Sequence, residues 1–338
     1  MSRYLSRKPP SKALAAMATT VLALWLAGGA AQAAQTLKLL MPWNQTSAGN
    51  VAVGNHLIKM IEETTGGAVK IHKFDNSVVP PFQQLEPVAS GVFDLHYTNP
   101  AYHAGDTMIG QIMDTVVADA AKRHDSGVWD MVDKAYQKRN LKLIAAGPST
   151  GFQFLVRGDI AADGTLKGMK IRSNPAYDGT IRALGGSPIQ LPIGEVYTAM
   201  QNGLIDGTAF PVHGVVSAKM GEVAKFQVRP VFGQGTAMVL MNLGKWKALS
   251  PDLQAKMLAA GRKFEETCYK VVAVIANADE AALVKSGSPT KRLNADAAAH
   301  INQYYNESLW AQAIKTGGTE AADIVEFVKS HDLVFNGF

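Results

Sequence analysis

The chain has little of what covalent or metal chemistry requires. Its 338 residues include one cysteine, Cys268, so no internal disulfide can form. Cys268 lies in a helical pattern without a His or Asn signature around it, which favours a small core residue over a nucleophile. The eight histidines show no zinc-ligand spacing with a helix-borne Glu, and the phosphate-binding Gly-x-x-x-x-Gly-Lys-[Ser/Thr] motif is absent. These absences argue against an enzyme, and the sequence indicates no metal site and no cofactor, although whether a metal ion assists ligand binding is left open.

The chain also lacks a strong charge of either sign. It contains 33 Lys and Arg against 28 Asp and Glu, a formal net charge of +5. Four of the basic residues and none of the acidic ones fall within the first 33 residues, so the remainder carries 29 minus 28, or +1. Basic runs with interleaved aromatic residues are missing as well. The composition therefore argues against a nucleic-acid partner.

The first 33 residues have the pattern of a secretory signal peptide. A basic start is followed by an apolar run over residues 13–27 and by the small-x-small sequence Ala31-Gln32-Ala33. This run is too short for a stable membrane span, and its flanking residues are those of a signal peptide. The alternative is that the segment stays uncleaved and anchors the protein in the membrane. We therefore expect residues 1–33 to be removed and the mature protein to lie in the periplasm.

Residues 166–211 read as alternating strands and helices. Strands are predicted over 169–173, 189–191 and 205–210, with a helix in each gap, and such crossovers force a parallel sheet. Ligands of open α/β sheets bind beyond the carboxyl ends of the strands. The predicted strand ends carry Arg172, Asn174, Phe210 and His213. An arginine fork there matches a carboxylate with two parallel hydrogen bonds.

These same residues carry a family resemblance. Lys170-Ile171-Arg172, then Glu195-Val196-Tyr197-Thr198-Ala199-Met200-Gln201, then Gly203-Leu204-Ile205-Asp206-Gly207 and Pro211 resemble the solute-binding proteins of TRAP transporters, the DctP-like family. The resemblance implies a two-lobed, non-catalytic receptor in which Arg172 grips the carboxylate of a small organic acid. It also implies TRAP membrane subunits as partners. Glu195 and Tyr197 either brace this arginine or cap their own helix.

The expected architecture is an α/β periplasmic-binding-protein fold. Each lobe is predicted to be a mainly parallel sheet flanked by helices. The predicted first lobe covers 34–150 and 237–275, and the second covers 151–236 and 276–338. Continuous helical character is predicted over 108–138 and 215–223. One long helix is expected from Pro251 to near Lys285, because that segment contains no further proline. It either runs unbroken or is interrupted near Gly261, and it is expected to lie across both lobes.

Two departures from the family pattern shape the expected ligand. Phe210 stands where the family usually has Asn, and Gln153 stands where sugar-acid binders often carry a second arginine. We therefore expect a monocarboxylate with an aromatic or apolar body, enclosed by Trp43, Tyr97 and Phe210. Asn99 is expected near Tyr97 at the cleft end of the same strand, where it would be a polar contact to the ligand. The alternatives are a C4-dicarboxylate or sugar-acid receptor of the same family, or a periplasmic sensor-input protein with this fold and no transporter.

Overall fold

The computed structural model describes residues 34–337, and the predicted signal peptide, 1–33, lies outside the described residues. The described chain forms two β-sheets covered by helices, one sheet in each lobe. Its strands are β1 (Gln35–Leu40), β2 (Val69–Phe74), β3 (Leu95–Thr98), β4 (Leu141–Pro148), β5 (Phe152–Val156), β6 (Lys170–Ser173), β7 (Ser187–Gln190), β8 (Gly207–Pro211), β9 (Phe226–Phe232), β10 (Thr236–Asn242) and β11 (Thr290–Arg292). Its α-helices are α1 (Ala48–Thr64), α2 (Leu85–Ala89), α3 (Ala120–Asp125), α4 (Val128–Gln137), α5 (Asp178–Ala183), α6 (Val196–Gln201), α7 (Met220–Val223), α8 (Leu243–Ala248), α9 (Pro251–Lys285) and α10 (Ala295–Ser330).

The sheet of the first lobe has the strand order β2-β1-β3-β10-β4. β1 pairs in parallel with β2 and β3, whereas β10 is antiparallel to β3 and β4. Apolar side chains on β1 and on the first turns of α1 pack into the core of this lobe, with Leu39, Val53 and Leu57 fully buried or nearly so. The burial of these residues fixes the register of the sheet.

The sheet of the second lobe has the order β11-β9-β5-β8-β6-β7. The strands of the predicted central unit, β6, β7 and β8, are parallel neighbours, as the crossover pattern requires. β11 is parallel to β9, and β5 is antiparallel to β8 and β9. The predicted α/β fold with parallel crossover units is confirmed.

The antiparallel strands arise where the chain changes lobes. It leaves the first lobe at the end of β4 and enters β5, and it returns from β9 into β10. β5 and β10 therefore start between the lobes and run away from that boundary. β1, β3, β6 and β8 run toward it, so their carboxyl ends meet there.

The predicted long helix is a single element, α9. Ser250 caps its start by accepting a hydrogen bond from the Leu253 N–H at 3.3 Å, with Pro251 in the first turn. Gly261 permits close packing, because a Cβ there would lie 2.0 Å from the carbonyl oxygen of Ile144 on β4. The far end contributes Leu283 to a core cluster of the second lobe. The helix therefore contacts both lobes.

The last helix, α10, contacts elements of both lobes as well. It packs against α5 and β9 in the second lobe and against residues 109–115 in the first. Gly318 has non-helical angles, φ 60° and ψ −141°, and divides α10 into two helical segments. The assignment of residues 276–338 to the second lobe stays a prediction.

Two predicted helical segments are less regular than expected. Residues 108–138 contain a 3-10 segment (Ile109–Thr115) and then α3 and α4, separated by Gly127 at φ 90°. Of residues 215–223, only Met220–Val223 forms an α-helix, after Lys219 at φ 55°. Left-handed residues interrupt the hydrogen-bond ladder in both places. Among the helices of residues 34–337, none has the length and apolarity that crossing a membrane demands.

Candidate ligand-binding site

A cavity lies between the lobes, where the strands of both sheets end or begin. About 500 Å³ of space free of protein atoms lies at this position, a figure that includes the opening to solvent. The cavity is lined by Trp43, Asn50, Tyr97, Asn99, Tyr102, Ser149, Phe152, Arg172, Asn174, Tyr177, Ile193, Pro211, His213, Gly235, Thr236 and Ala237. Most of these residues follow β1, β3, β6 or β8 or belong to the two lobe crossings, whereas Asn50 lies on α1 and Ile193 follows β7. The location is the one that the βαβ rule predicts.

Arg172 lies at the end of β6 and is 1% exposed. Its Nε donates to the carbonyl of Leu191 at 2.8 Å, and Nη1 donates to the carbonyl of Ala209 at 3.2 Å. These two backbone contacts hold the guanidinium in one orientation. Nη2 is buried and has no hydrogen-bond partner among the described residues. A buried donor left unpaired is costly, so this atom is available to a ligand acceptor.

The cavity has one permanent positive charge. Burial lowers the pKa of the Arg172 guanidinium, and the hydroxyls of Tyr102 and Tyr177 and the carboxylate of Glu195 partly offset that effect. An arginine keeps its proton in proteins even so. Of the described residues that line the cavity, none is Asp or Glu. The electrostatics therefore suit an anion.

Aromatic rings form much of the cavity wall. Trp43 of the first lobe lies 5.2 Å from Tyr97 and 5.9 Å from Tyr102, measured between ring centroids. Phe152 and Tyr177 of the second lobe have centroids 4.7 Å apart. Both lobes thus present rings to the enclosed space, which suits a flat or apolar body.

Two asparagines line the cavity and also fix the turns behind it. The side-chain oxygen of Asn99 accepts from the Ala101 N–H at 3.0 Å, and that of Asn174 accepts from the Ala176 N–H at 3.0 Å. Such contacts stabilise the turn that follows each strand. They use one side-chain oxygen of each residue, and the Asn99 NH₂ also donates to the Thr236 carbonyl at 3.4 Å. The remaining N–H of Asn99 and the NH₂ of Asn174 are the groups better placed to serve a ligand.

His213 bridges the two lobes at the cavity. Its Nδ1 lies 2.6 Å from the Thr150 hydroxyl, and its Nε2 lies 3.4 Å from the side-chain oxygen of Asn50 on α1. The ring is 4% exposed, and this burial lowers the pKa of His213 to about 4. The imidazole is therefore neutral at pH 7.

The structure places Phe210 and Gln153 away from the cavity, so their expected position in the pocket is wrong. The two residues are cross-strand partners on β8 and β5 and share one face of the sheet. Phe210 packs in the apolar cluster with Val196 and Leu283, while Gln153 accepts a hydrogen bond from Arg229. Because side chains alternate along a strand, the neighbouring pair Phe152 and Pro211 lines the cavity instead.

The remaining predicted residues, Arg172, Trp43, Tyr97, Asn99, Asn174 and His213, all line the cavity. Sequence reasoning missed Phe152 and Tyr177, and it placed Tyr102 in the cleft segment 97–102 without naming it as a site residue. Tyr102 follows Asn99 closely, and Phe152 begins a strand at a lobe crossing, which were usable signals. Tyr177 fits the apolar stripe of a predicted helix, so the sequence contained no signal that it lines the cavity. Tyr197 does not brace Arg172, because its hydroxyl donates to Glu222 at 2.7 Å.

Residues 147–151 read Gly-Pro-Ser-Thr-Gly and so match the Gly-x-Ser-x-Gly pattern of serine hydrolases. In those enzymes the serine lies on a turn between a strand and a helix. Here the segment joins two strands, β4 and β5, and the ring of His213 contacts Thr150 instead of Ser149. The match therefore does not assemble a nucleophile and base.

Comparisons with known proteins agree with this geometry. The family model of the bacterial extracellular solute-binding proteins, family 7 (DctP), matches residues 42–316. The 2,3-diketo-L-gulonate-binding periplasmic protein YiaO of Escherichia coli is 28% identical over 266 residues, which cover 74% of this chain and 80% of that protein.

Two solved structures show the same fold. A TRAP periplasmic solute-binding protein from Desulfovibrio salexigens with bound orotic acid has a TM-score of 0.76 at 22% identity, covering 87% of this chain and 97% of that one. A TRAP transporter solute-binding protein from Bordetella bronchiseptica, with calcium and picolinate in its active site, has a TM-score of 0.77 at 18% identity, covering 89% and 93%. This chain belongs to the DctP family of TRAP solute-binding proteins, which are extracytoplasmic binding proteins and not enzymes.

Proposed function

We propose that this chain is a periplasmic receptor that binds a small organic acid through its carboxylate and delivers it to the membrane subunits of a TRAP transporter. The observation that carries the proposal is the buried guanidinium of Arg172, held by backbone carbonyls with Nη2 unpaired at the cavity. A carboxylate that accepts from Nη2 and from the second N–H of Nη1 forms a bidentate pair.

The charge of the cavity supports a ligand with a single carboxylate. Arg172 is the one permanently charged side chain among the described lining residues, and His213 is neutral at pH 7. A second carboxylate enclosed here would lose its hydration without gaining a cationic partner. Burial of an unpaired charge costs several kcal/mol, which disfavours a dicarboxylate.

The shape of the walls supports a flat or apolar ligand body. Trp43, Tyr97 and Tyr102 enclose the space from one lobe, and Phe152 and Tyr177 enclose it from the other. Aromatic contacts of this kind contribute about 0.5–1.5 kcal/mol beyond the burial of area. Orotic acid and picolinate, named in the two solved structures, are flat aromatic acids of the expected class. We therefore propose an aromatic or apolar oxo or hydroxy monocarboxylate.

A sugar-derived acid is the second candidate. The cavity also presents Asn50, Asn99, Asn174 and Ser149, which offer hydrogen bonds to hydroxyl groups. The Escherichia coli relative is named for binding 2,3-diketo-L-gulonate. This candidate predicts that hydroxylated acids bind more tightly than flat aromatic ones.

The delivery step rests on the family and on the predicted signal peptide over residues 1–33. A sensor-input role would use the same closed cavity without a transporter. Reconstitution with the paired membrane subunits in vesicles distinguishes the two roles. A transport receptor makes uptake of the bound acid depend on this protein, whereas a sensor-input protein leaves uptake unchanged.

A thermal-shift screen tests the ligand class. The mature protein is heated with orotate, picolinate, pyroglutamate, glucuronate and succinate in separate samples. A ligand present at 100 times its dissociation constant adds about 2.7 kcal/mol to the free energy of unfolding. The largest shift is expected from an aromatic monocarboxylate. A largest shift from succinate would contradict the single-carboxylate argument, and one from glucuronate would favour the second candidate.

A further inference from the structure

We propose that Gly49 and His213 form a latch between the lobes, and that the missing side chain of Gly49 is a condition for closure. Gly49 lies in the first turn of α1 in the first lobe, and His213 follows β8 in the second lobe. The contact therefore forms only when the lobes are together. The effect on ligand affinity rests on the proposed function, whereas the effect on closure does not.

The space at this contact is already filled. A Cβ built on Gly49 would lie 2.8 Å from Cδ2 of His213 and 3.7 Å from its Cγ. Gly49 does not have a left-handed backbone conformation, and its position in a helix would itself favour alanine. The requirement for glycine therefore comes from the opposite lobe and not from the local backbone.

The histidine ring cannot turn aside freely. Nδ1 is held by the Thr150 hydroxyl at 2.6 Å, and Nε2 faces the side-chain oxygen of Asn50 at 3.4 Å. The chain after the ring is also fixed, because the Val215 N–H donates to Asp279 at 2.9 Å. On the other side, Val51 and Val53 anchor the start of α1 in the core of the first lobe.

A methyl group at position 49 is therefore expected to separate the lobes. The separation would occur beside Trp43 and Arg172, which approach the cavity from opposite lobes. A ligand held between them would lose contacts on one side. His213 is thus a positioning residue whose contact with α1 sets the distance between the two walls.

Disulfide trapping measures closure of the two lobes directly and needs no ligand. Thr46 and Gly194 are exposed residues of opposite lobes, and a Cβ on Gly194 would lie 4.0 Å from the Thr46 hydroxyl oxygen. The double variant Thr46→Cys/Gly194→Cys should form a disulfide under mild oxidation when the lobes close. Cys268 is 1% exposed and stays outside the reaction.

The rate of this disulfide is then measured with additional substitutions. Gly49→Ala is expected to slow it by about tenfold or more, the usual range for a methyl forced into filled space. Gly105→Ala is the matched control, because a Cβ there meets nothing within 4 Å. Adding His213→Ala to Gly49→Ala removes the opposing ring and is expected to restore most of the rate. Circular dichroism confirms that each variant is folded.

Each outcome decides the proposal. A slow Gly49→Ala variant that is rescued by His213→Ala supports the latch. Equal rates with and without Gly49→Ala would overturn it, and so would a failed rescue or a parent pair that forms no disulfide at all. Failure of the proposed ligand function gives a different result. In that case the wild-type protein binds none of the acids, while the relative disulfide rates of the variants stay as predicted.

Discussion

Replacing Asp114 with asparagine is expected to make folding less dependent on pH. Asp114 is fully buried behind the cavity wall, where one carboxylate oxygen accepts from Gln111 and from the Tyr305 hydroxyl, and the other has no partner among the described residues. Burial raises the pKa of Asp114 to about 7 from an ordinary 3.8, although the nearby hydroxyls of Thr236 and Tyr305 and the charge of Arg123 oppose the rise.

The direction of the effect follows from proton linkage. The folded protein holds the Asp114 proton more tightly than the unfolded chain, so this residue lowers stability as the pH rises from about 4 to 7. Because one pKa unit corresponds to about 1.4 kcal/mol, the full effect is on the order of 4 kcal/mol. Asn cannot ionise, so the Asp114→Asn variant should gain stability relative to wild type by up to that amount between pH 4 and pH 8.

Urea unfolding of wild type and Asp114→Asn at pH 4 and pH 8 measures how the difference between their free energies of unfolding changes with pH. Other titrating groups, including the buried His96 and His103, cancel because both proteins contain them. Asp133→Asn is the control, because that buried carboxylate is paired with Lys142 at 2.6 Å and its loss should destabilise the fold at pH 8. Parallel pH profiles for wild type and Asp114→Asn would refute the reasoning.

Three further predictions concern closure, the pocket wall and the long helix. Burial between the closed lobes lowers the pKa of His213 to about 4, so protonation of this ring opposes closure. Ligand affinity should therefore be greatest above pH 6.5 and should fall as the pH drops toward 4, and an affinity that does not change with pH would contradict this. Phe210→Ala should lower the free energy of unfolding in urea by about 3–5 kcal/mol, because the ring is buried in the core. The ranking of ligands in the thermal-shift screen should stay the same, and a changed ranking would show that Phe210 contacts the ligand. Ser250→Ala should lower stability by about 1 kcal/mol through loss of the α9 cap, and an unchanged unfolding midpoint would exclude that role.

Much of the site could be predicted because strand ends are visible in the sequence. The strand predicted over 169–173 ends beside Arg172, and the parallel arrangement requires that end to face a cleft. Trp43, Asn99 and His213 follow other strands in the same way. In each case the position along the strand was sufficient, because residues past the end of a strand lie near the cleft whichever face they occupy.

The face of a strand could not be predicted in the same way. Phe210 lies within β8, where alternate residues point to opposite faces and both faces are buried. Hydrophobicity therefore does not separate the cavity side from the core side, and the pair Phe152 and Pro211 occupies the cavity instead. Aromatic rings do line the cavity, and Phe210, which was assigned to that wall from the sequence, lies in the core instead.

Contacts between distant segments were beyond sequence reasoning. The approach of Gly49 to His213 joins residues that are 164 positions apart, and neither belongs to a motif. The break between α3 and α4 likewise depends on Gly127 at φ 90°, because a glycine in a helical pattern can be accommodated or can end the helix.

Calorimetric titration of Arg172→Ala is the most direct test of the account. The titrant is the acid that gives the largest thermal shift with the wild-type protein. Truncating one partner of a buried charged pair costs about 2–5 kcal/mol, which corresponds to a loss of affinity of roughly 30- to 3,000-fold. Arg182→Ala, on the exposed side of α5, is the control and should bind as wild type does. A loss of less than about fivefold for Arg172→Ala would contradict the proposed carboxylate pairing.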